Sequence, residues 1–207
     1  MRKLLTAIAL AASLSTAQAA LLTFDDIPGG SVQDSFGVMP AYAGFSFACA
    51  GGTMDCGTFV SPDLHWVDAV PFGGSAVSGD FALTNSSGGD AVIRASDGSA
   101  FTFDGLWARA WTGGDRAVSI LGLSGGSQIW SLSGSLVDGD AYTFFAGTSA
   151  SIDELRLQFG EFFLVDDLSL SAADGGSTVP EPTSLLLCGL GLAALGAARR
   201  ATRKSGV

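Results

Sequence analysis

The chain has 207 residues and a formal net charge of −10, and its charges are unevenly distributed. Six of the ten Lys and Arg residues lie within the first three or the last nine positions, so residues 20–178 hold 19 acidic and four basic side chains, a net charge of 4 − 19 = −15. Such an acidic body excludes nucleic acid as a partner and disfavours anionic membrane surfaces. Divalent cations, cationic surfaces and neutral sugars are compatible with it, as is the simpler view that the acidity keeps an exported protein soluble.

The N-terminus has the three parts of a secretory signal peptide. Arg2 and Lys3 precede an apolar stretch at residues 4–14, and residues 17–19, Ala-Gln-Ala, form a small-x-small cleavage site. The apolar stretch is too short for a spanning helix, so we expect residues 1–19 to form a signal-peptide helix that enters the Sec translocon and is then removed. A buried N-terminal helix is the alternative.

Residues 20–171 have the pattern of strands joined by turns. Gly is abundant, with 29 residues in the chain, and short β-rich runs alternate with Gly- and Asp-containing turn signals. Many short strands without a helical period predict an all-β fold, a single antiparallel β-sandwich. The predicted strands are residues 21–24, 44–49, 76–83, 91–95, 99–103, 106–112, 117–123, 128–133, 142–146, 152–159 and 163–171.

The clearest hairpin is predicted at residues 117–133. Two β-rich runs flank the sequence Ser-Gly-Gly-Ser at residues 124–127. A Gly-Gly pair suits a two-residue hairpin turn, because both turn positions need a positive φ angle.

Two of the three cysteines are close together in a Gly-rich stretch. Cys49 and Cys56 are separated by six residues, and the export route permits oxidation, so we predict a disulfide between them. A zinc site would need more Cys or His nearby, and His65 is the single histidine of the chain. A cysteine-nucleophile enzyme is disfavoured for the same reason.

Two aspartate pairs lie at the two ends of the body: Asp25 with Asp26, and Asp166 with Asp167. First and last strands pair in many sandwiches, so the four carboxylates could converge on one hard cation. Calcium takes six to eight oxygen ligands, which carboxylates and carbonyls at strand ends supply. We therefore predict a structural calcium site there; the alternative is that these aspartates cap turns or face solvent.

Trp107 and Trp111 are four positions apart and so share one face of an extended strand. Sugar-binding sandwiches stack pyranose rings on such side chains, so both are predicted as ligand-binding aromatics. The alternative places them in the core.

The body resembles the galactose-binding-like jelly rolls of bacterial exported proteins and carbohydrate-binding modules. The resemblance rests on residues 23–26, Thr-Phe-Asp-Asp, and on residues 163–169, Phe-Leu-Val-Asp-Asp-Leu-Ser. It implies a jelly-roll sandwich with a structural calcium between the first and last strands, and Asp25 or Asp26 with Asp166 or Asp167 as ligands.

The C-terminal residues have the pattern of a spacer followed by a sorting segment. Residues 172–178 are a predicted flexible spacer, and the segment 179–204 contains an apolar run at residues 184–198. A helix of 15 residues spans roughly 22 Å against a hydrocarbon core of about 30 Å, so a transmembrane helix here would be a temporary anchor. The basic end should stay cytoplasmic and leave the body on the other side. The motif before the run is Val179, Pro180, Glu181 and Pro182, and the basic residues after it are Arg199, Arg200, Arg203 and Lys204.

Residues 179–204 resemble the PEP-CTERM sorting domain of Gram-negative bacteria, with the motif at residues 180–182. The resemblance implies recognition by an exosortase, a membrane-embedded enzyme similar to cysteine transpeptidases. It also implies cleavage near the motif and delivery to the cell surface or an extracellular polysaccharide matrix. Cys188 departs from the usual aliphatic and glycine composition of the apolar run. An ordinary tail anchor is the alternative.

Two functions remain open on the sequence. The favoured one is a non-catalytic exported sandwich that binds polysaccharide or supports an exopolysaccharide or biofilm matrix. The alternative is a weak extracellular hydrolase or lyase on the same sandwich. Its acid–base pair would come from neighbouring carboxylates such as Asp153 with Glu154 or Asp138 with Asp140.

Overall fold

A computed structural model describes residues 19–31, 36–51, 64–69, 75–85, 88–139 and 141–172. The predicted signal-peptide helix and the predicted transmembrane helix both lie outside these residues, as do Cys56, Asp140 and the sorting motif. Within the described ranges, no helix has the length and apolar character needed to cross a membrane.

The described residues form twelve strands in two antiparallel sheets, which confirms the predicted all-β sandwich. The seven-stranded sheet has the order β10-β7-β12-β5-β4-β2, with β1 also paired to β12, and the five-stranded sheet has the order β3-β6-β11-β8-β9. The strands are β1 (Ala19–Leu22), β2 (Phe36–Val38), β3 (Phe45–Ala50), β4 (His65–Asp68), β5 (Phe81–Thr84), β6 (Asp90–Ala95), β7 (Phe101–Ala110), β8 (Arg116–Ser124), β9 (Ser127–Leu136), β10 (Thr143–Ile152), β11 (Glu154–Gln158) and β12 (Phe163–Ala172).

The predicted hairpin and the pairing of the first and last strands are confirmed. In the hairpin Ser124 pairs with Ser127, and the turn glycines, Gly125 and Gly126, have φ angles of 56° and 75°. β1 pairs antiparallel with β12, from Ala19 opposite Ser171 to Leu22 opposite Leu168.

The predicted strands differ from the structure in three respects. β2 and β4 were not predicted: β2 has only three residues, and all four residues of β4 are buried, so neither shows the alternation of a half-buried strand. Residues 76–80 were predicted as strand but run outside the sheets as a bent segment before β5. Residues 99–103 and 106–112 were predicted as two strands, yet a single strand, β7, spans both.

The sequence predicts two strands in place of β7 because the alternation of core-facing and outward-facing side chains shifts by one residue at Gly105. Phe101 and Phe103 face the main core before Gly105, whereas Leu106 and Ala108 face it afterwards. Gly105 has a φ of 152°, in a region that favours glycine. Every side chain of β7 beyond this point therefore faces the opposite way from an unbroken alternation.

β12 has a matching irregularity. Its pairing with β7 shifts between Asp166 and Ser169, and Asp167, between them, has a φ of 47°. Aspartate tolerates this left-handed conformation better than most residues. β12 pairs with β7 along one edge, and with β5 and then β1 along the other, so it lies at the centre of the seven-stranded sheet.

Candidate functional site

β7 directs Trp107, Arg109 and Trp111 to the outer face of the seven-stranded sheet, the face that is turned away from the main core. Their neighbours Leu106 and Ala108 are fully buried in that core. Trp107 and Trp111 share a face, as the spacing predicts. Arg109 lies between them on the same face because residues two apart in a strand point the same way. The spacing of two residues between Trp107, Arg109 and Trp111 is the sequence signal for this shared face.

An exposed aromatic pair lies on this outer face. Phe144 of β10 is the register partner of Trp107, and their ring centroids are 5.1 Å apart at an interplanar angle of 48°. Phe144 is 50% exposed, and Trp107 is half-buried. A Cβ atom at Gly105 would lie 2.8 Å from the Phe144 ring, so glycine at this position makes room for the ring. We call Trp107 and Phe144 the aromatic pair; sequence reasoning did not include Phe144.

Trp111 lies further along β7 and is less available. Its ring packs edge-on against Phe162 at a centroid distance of 6.2 Å. Trp111 also packs against a small apolar cluster on the outer face, formed by Val67, Ala69, Ala82 and Leu164. Both predicted ligand-binding tryptophans are half-buried, and Trp111 in addition packs into an apolar cluster.

Much of the exposed apolar surface of the sandwich lies on or next to this face. Phe36 and Val38 of β2 pair with Val67 and His65 of β4, which turns their side chains outward. Leu21 of β1 points outward because its neighbour Leu22 is buried in the core. The exposed fractions are 59% for Leu21, 53% for Phe36 and 49% for Val38. These side chains are spread over the face, since β2 lies at the opposite edge of the sheet from β10 and its Phe144.

A polar group lies on the same face of β7, three residues before Trp107. Asp104 is exposed on the outer face, and its Oδ1 accepts a hydrogen bond from Thr102 Oγ1 at 3.3 Å. Its other carboxylate oxygen accepts a hydrogen bond from the hydroxyl of Ser171 in β12. A carboxylate and a hydroxyl thus lie on the same strand as Trp107, and a second hydroxyl lies on the neighbouring strand β12.

Residues 75–80, which we call the strap, are bonded to side chains at both ends of the body. Val77 N and Ser78 N both donate to Asp166 Oδ2 at 2.8 Å, and Ser78 Oγ donates to Asp167 Oδ1 at 2.8 Å. Asp80 N donates to Asp25 Oδ1 at 3.0 Å. Asp25 of the first predicted pair and both aspartates of the second therefore bind the same peptide segment.

The strap is also bonded to the start of β10. Tyr142 Oη donates a hydrogen bond to the carbonyl of Ser75 at 2.8 Å, and burial raises the pKa of Tyr142 to about 12. The guanidinium of Arg109 lies 5.4 Å from the centroid of the Tyr142 ring and donates to the carbonyl of Gly139. Arg109, which is 2% exposed, thus fixes the segment before β10 against the sheet.

Asp166 is fully buried, and its environment makes it the most perturbed carboxyl of the site. Burial raises its pKa to about 7, although the amide groups of Ser78, Asp167 and Val77 all favour the charged form. Desolvation is the larger effect because the strap and the sheet exclude water from both carboxylate oxygens. Asp166 is also the register partner of Trp107.

The remaining predicted ligand, Asp26, is exposed and accepts a hydrogen bond from Tyr42 Oη. Burial and the bond to Asp26 raise the pKa of Tyr42 to about 12. Asp26 is thus bonded to a hydroxyl, and Asp25 and Asp166 are bonded to strap amides.

The contacts of these carboxylates do not fit a cation that all four share. Amide hydrogens approach both oxygens of Asp166, with Asp167 N donating to Oδ1 at 2.7 Å, and they occupy directions that a calcium ion would need. In the part of the chain that the structure describes, no three His, Cys, Asp or Glu side chains are grouped so that they could hold a metal ion. The calcium site stays a prediction from the sequence.

The carboxylates considered as an acid–base pair also have structural partners. Glu154 of β11 is buried and forms ion pairs with Arg94 on the neighbouring strand β6 and with Arg156, two residues further along β11. Asp153 Oδ2 accepts the amide of Gly125 at 2.7 Å, in the hairpin turn. Asp138 Oδ2 accepts the amide of Gly114 at 2.9 Å.

Cys49 is disulfide-bonded. Its predicted partner, Cys56, lies outside the described residues. The side-chain amide of Asn85 donates to Cys49 Sγ at 3.3 Å, so the sulfur is also tied to the end of β5.

A pocket of about 180 Å³ lies away from the outer-face aromatics. Its lining comes from both sheets and includes Ala20, Phe45, Phe101 and Leu170, with Asp97 contributing a carboxylate. None of the residues of the aromatic pair or the strap lines it, so it is separate from the outer face.

Comparison with known families concerns the C-terminal segment. Residues 178–204 match the PEP-CTERM protein-sorting motif. These residues carry a PEP-CTERM sorting signal. The predicted boundaries, 179–204, agree with the match, and the PEP-CTERM signal implies an exported protein that an exosortase processes and sorts to the cell surface. No curated protein matches the chain.

Several solved structures of carbohydrate-binding modules have a loosely similar fold. A family 29 module from Piromyces equi shares 12% identity at a TM-score of 0.39, over 82% of this chain and 97% of the module. The module TmCBM61, solved with β-1,4-galactotriose, shares 12% identity at a TM-score of 0.34, over 63% and 89%. A family 11 module from Clostridium thermocellum, solved with a mixed-linked tetrasaccharide, shares 11% identity at a TM-score of 0.30, over 76% and 96%.

Replacement of Asp166 by Asn is expected to destabilise the fold and to change its pH dependence. The Asn side chain would turn an NH₂ group toward a strap or backbone amide and leave a buried donor unpaired, at a cost of about 1–3 kcal/mol. In the native protein the raised pKa means that the contribution of the protonated carboxyl is complete below the unfolded value of 3.8 and is lost as the pH rises through about 7. Urea unfolding at several pH values between these limits measures both effects.

The control for this experiment is Asp97→Asn. Asp97 is exposed, and its pKa is lowered by its bonds to Ser99, so it titrates below the pH range of the measurement. If Asp166→Asn and the native protein lost stability in parallel over that range, the assignment of the raised pKa to Asp166 would be wrong.

A chelator experiment tests the predicted calcium site. If calcium links Asp25 or Asp26 to Asp166 or Asp167, chelation lowers the melting temperature of the exported protein and added calcium restores it. The amide contacts of the strap lead us to expect an unchanged melting temperature. A reversible shift that is absent from an Asp26→Asn variant would instead establish the site.

Proposed function

We propose that the exported protein is displayed at the cell surface and binds a neutral polysaccharide through the outer face of its seven-stranded sheet. The observation that carries this proposal is the aromatic pair. Two ring systems, Trp107 and Phe144, lie side by side on adjacent strands; Phe144 is 50% exposed and Trp107 is half-buried. A monomeric protein gains no stability by leaving such rings exposed, whereas a ligand that covers them does.

The chemistry of aromatic rings on a sheet suits sugars. The C–H face of a pyranose ring is apolar and packs on an aromatic face, while its hydroxyls need polar partners at the edge. Neighbouring strands hold Trp107 and Phe144 in place, so little side-chain freedom is lost when a ligand binds. The acidic body repels anionic polymers, which favours a neutral polysaccharide over one rich in uronic acids.

Asp104 supplies the polar partner. Its carboxylate already orients the hydroxyls of Thr102 and Ser171 on the outer face. Hydroxyl groups of a sugar resting on Trp107 would meet this group at the edge of the aromatic surface. A carboxylate–hydroxyl hydrogen bond of this kind adds orientation more than affinity.

The destination of the protein supports an exopolysaccharide or biofilm matrix as the place where this binding occurs. The PEP-CTERM signal sends the chain to the cell surface, where polysaccharide is abundant. A non-catalytic binding or structural role in such a matrix needs only the aromatic pair and its polar border.

A hydrolase or lyase on the same sandwich remains the second candidate, since the raised pKa of Asp166 beside Trp107 is a feature that general acids share. Asp166 is, however, fully buried beneath the strap and accepts three amide hydrogen bonds. Release of reducing sugars from a polysaccharide panel, abolished in Asp166→Asn at a temperature where that variant is still folded, would favour the enzyme over the binding protein.

Loss of the aromatic pair is expected to abolish most of the binding. A glycan array probed with the exported protein identifies the polysaccharide, and titration calorimetry then compares variants. Trp107→Ala and Phe144→Ala should each weaken binding by about tenfold or more, since each removes a large apolar contact. Asp104→Ala should weaken it less.

The matched control is Ile129→Ala, which removes an exposed apolar side chain from β9 in the other sheet. It should leave the affinity unchanged. Equal affinities for the native protein, Trp107→Ala and Phe144→Ala would refute the proposed binding face.

Processing by exosortase predicts a defined new C-terminus. Mass spectrometry of protein released from the cell surface should find chains that end near residues 180–182 and lack the basic residues beyond 198. A surface form that retains Arg203 would contradict removal of the anchor.

A further inference from the structure

The strap, residues 75–80, covers a carboxyl group directly beside the aromatic pair. Asp166 of β12 is the register partner of Trp107, and Trp107 is the register partner of Phe144. Register partners lie about 5 Å apart and point to the same side of a sheet, so the three side chains form one row across β12, β7 and β10. Phe144 is 50% exposed and Trp107 is half-buried, whereas Asp166 is fully buried with strap amides on its carboxylate.

The contacts that hold the strap closed are polar and few. In the part of the chain that the structure describes, residues 75–79 make no backbone–backbone hydrogen bond to either sheet. Their bonds go to the side chains of Asp166, Asp167 and Tyr142. Val77, the one apolar side chain of the strap that is larger than alanine, is 39% exposed. A segment with so little buried apolar area opens at a lower free energy than the strands around it.

Closing the strap also has a cost at Asp166. Burial raises the pKa of its carboxyl to about 7, although three amide donors favour the charged form. Lifting the strap would let water reach this carboxyl and relieve the desolvation. The hydrogen bonds that hold the strap closed and the desolvation beneath it therefore oppose each other, which lowers the free energy of opening.

We propose that the strap is a movable cover that a bound polysaccharide displaces, so that Asp166 joins Trp107 and Phe144 in the binding surface. The donors match, because sugar hydroxyls donate hydrogen bonds to a carboxylate, as the amides of Val77 and Ser78 do in the closed state. A sugar ring on the aromatic pair holds its hydroxyls about one strand spacing from Asp166. This inference rests on the proposed polysaccharide binding and adds a regulated carboxylate to that site.

Gly79 is the position at which the closed strap is most sensitive to substitution. It has a φ angle of 51°, and a Cβ there would lie 1.9 Å from Asp25 Oδ1. That same oxygen accepts the amide of Asp80 at 3.0 Å, and the carbonyl of Asp80 accepts the amide of Ala69 at 2.9 Å. The end of the strap next to β5 is therefore fixed in two ways, and a methyl group at Gly79 would disturb one of them.

Gly79→Ala tests the cover because it loosens the closed strap without changing the aromatic pair. The methyl group would displace the Asp25 carboxylate from the amide of Asp80. In the free exported protein, amide hydrogen exchange at Val77 and Ser78 should become about tenfold faster. The affinity for an oligosaccharide that displaces the strap should rise by about the same factor, since the open fraction limits the apparent affinity. Hexasaccharides of β-1,4-linked glucose, mannose and galactose serve as neutral probes in titration calorimetry.

Gly98→Ala is the matched control. Gly98 also has a positive φ angle, 76°, but no atom outside its chain neighbours lies within 4 Å of the position of a Cβ. The variant adds similar backbone strain away from the strap and should change neither the exchange nor the affinity. A second variant, Asp25→Ala, removes the acceptor of the Asp80 amide and should act in the same direction as Gly79→Ala. Combined, the two should have less effect than the sum of their single effects, because they break the same contact.

The native protein provides the direct readout. Saturation with a hexasaccharide should speed exchange at Val77 and Ser78, whereas a sugar that leaves the strap in place would slow it or leave it unchanged. If a probe binds through Trp107 while these amides keep their protection, or if Gly79→Ala and Gly98→Ala bind it equally, the cover is refuted and the binding face stands. If no probe binds the native protein, the proposed function fails and this inference fails with it.

Discussion

The one-residue shift in alternation at Gly105 determines what the outer face of the seven-stranded sheet can present. Because side chains of a strand alternate with a period of two, the shift exchanges faces for every later residue of β7. Without it, Trp107 and Arg109 would point between the sheets, and a buried guanidinium would have to be accommodated there. With it, the core stays apolar and the aromatic surface lies outside. Gly105 also leaves the space that the Phe144 ring occupies, so one residue sets the alternation and admits the ring.

The second organising feature is a set of carboxylates that bind backbone. Asp25 and Asp166 accept amides of the strap from opposite ends of the chain. A buried carboxylate is costly, and the raised pKa of Asp166 shows that the donors around it do not fully offset desolvation. Polar bonds of this kind specify one position for a segment that has little apolar surface of its own. Gly79 fits the same arrangement, since a Cβ there would lie 1.9 Å from Asp25 Oδ1.

Much of the fold could be predicted from the sequence because strands and turns leave local signals. The Gly-Gly turn, the alternating runs and the pairing of first and last strands needed only neighbouring residues and general sheet rules. The sequence does not predict β4 because a strand that is buried on both faces has no alternation of apolar and polar residues. It predicts a strand at the strap because residues 76–83 are rich in residues that favour strands. The sequence also placed the aspartate pairs at the ends of the paired first and last strands. Residue type identifies a carboxylate as an acceptor, but only the folded chain reveals that its donors are amides. Phe144 could not be found because it reaches Trp107 through pairing between distant strands.

The central position of β12 has a mechanical consequence. β12 ends at Ala172, six residues before the sorting signal begins at residue 178, so a chain held by that signal is held through its last strand. Hydrogen bonds in an antiparallel pair lie perpendicular to the strands. A pull along β12 therefore loads the bonds to β7, β5 and β1 together, in shear, and does not open them one at a time. A force that pulls on the protein while its C-terminal signal is anchored would have to break whole rows of hydrogen bonds at once before the sandwich unfolded.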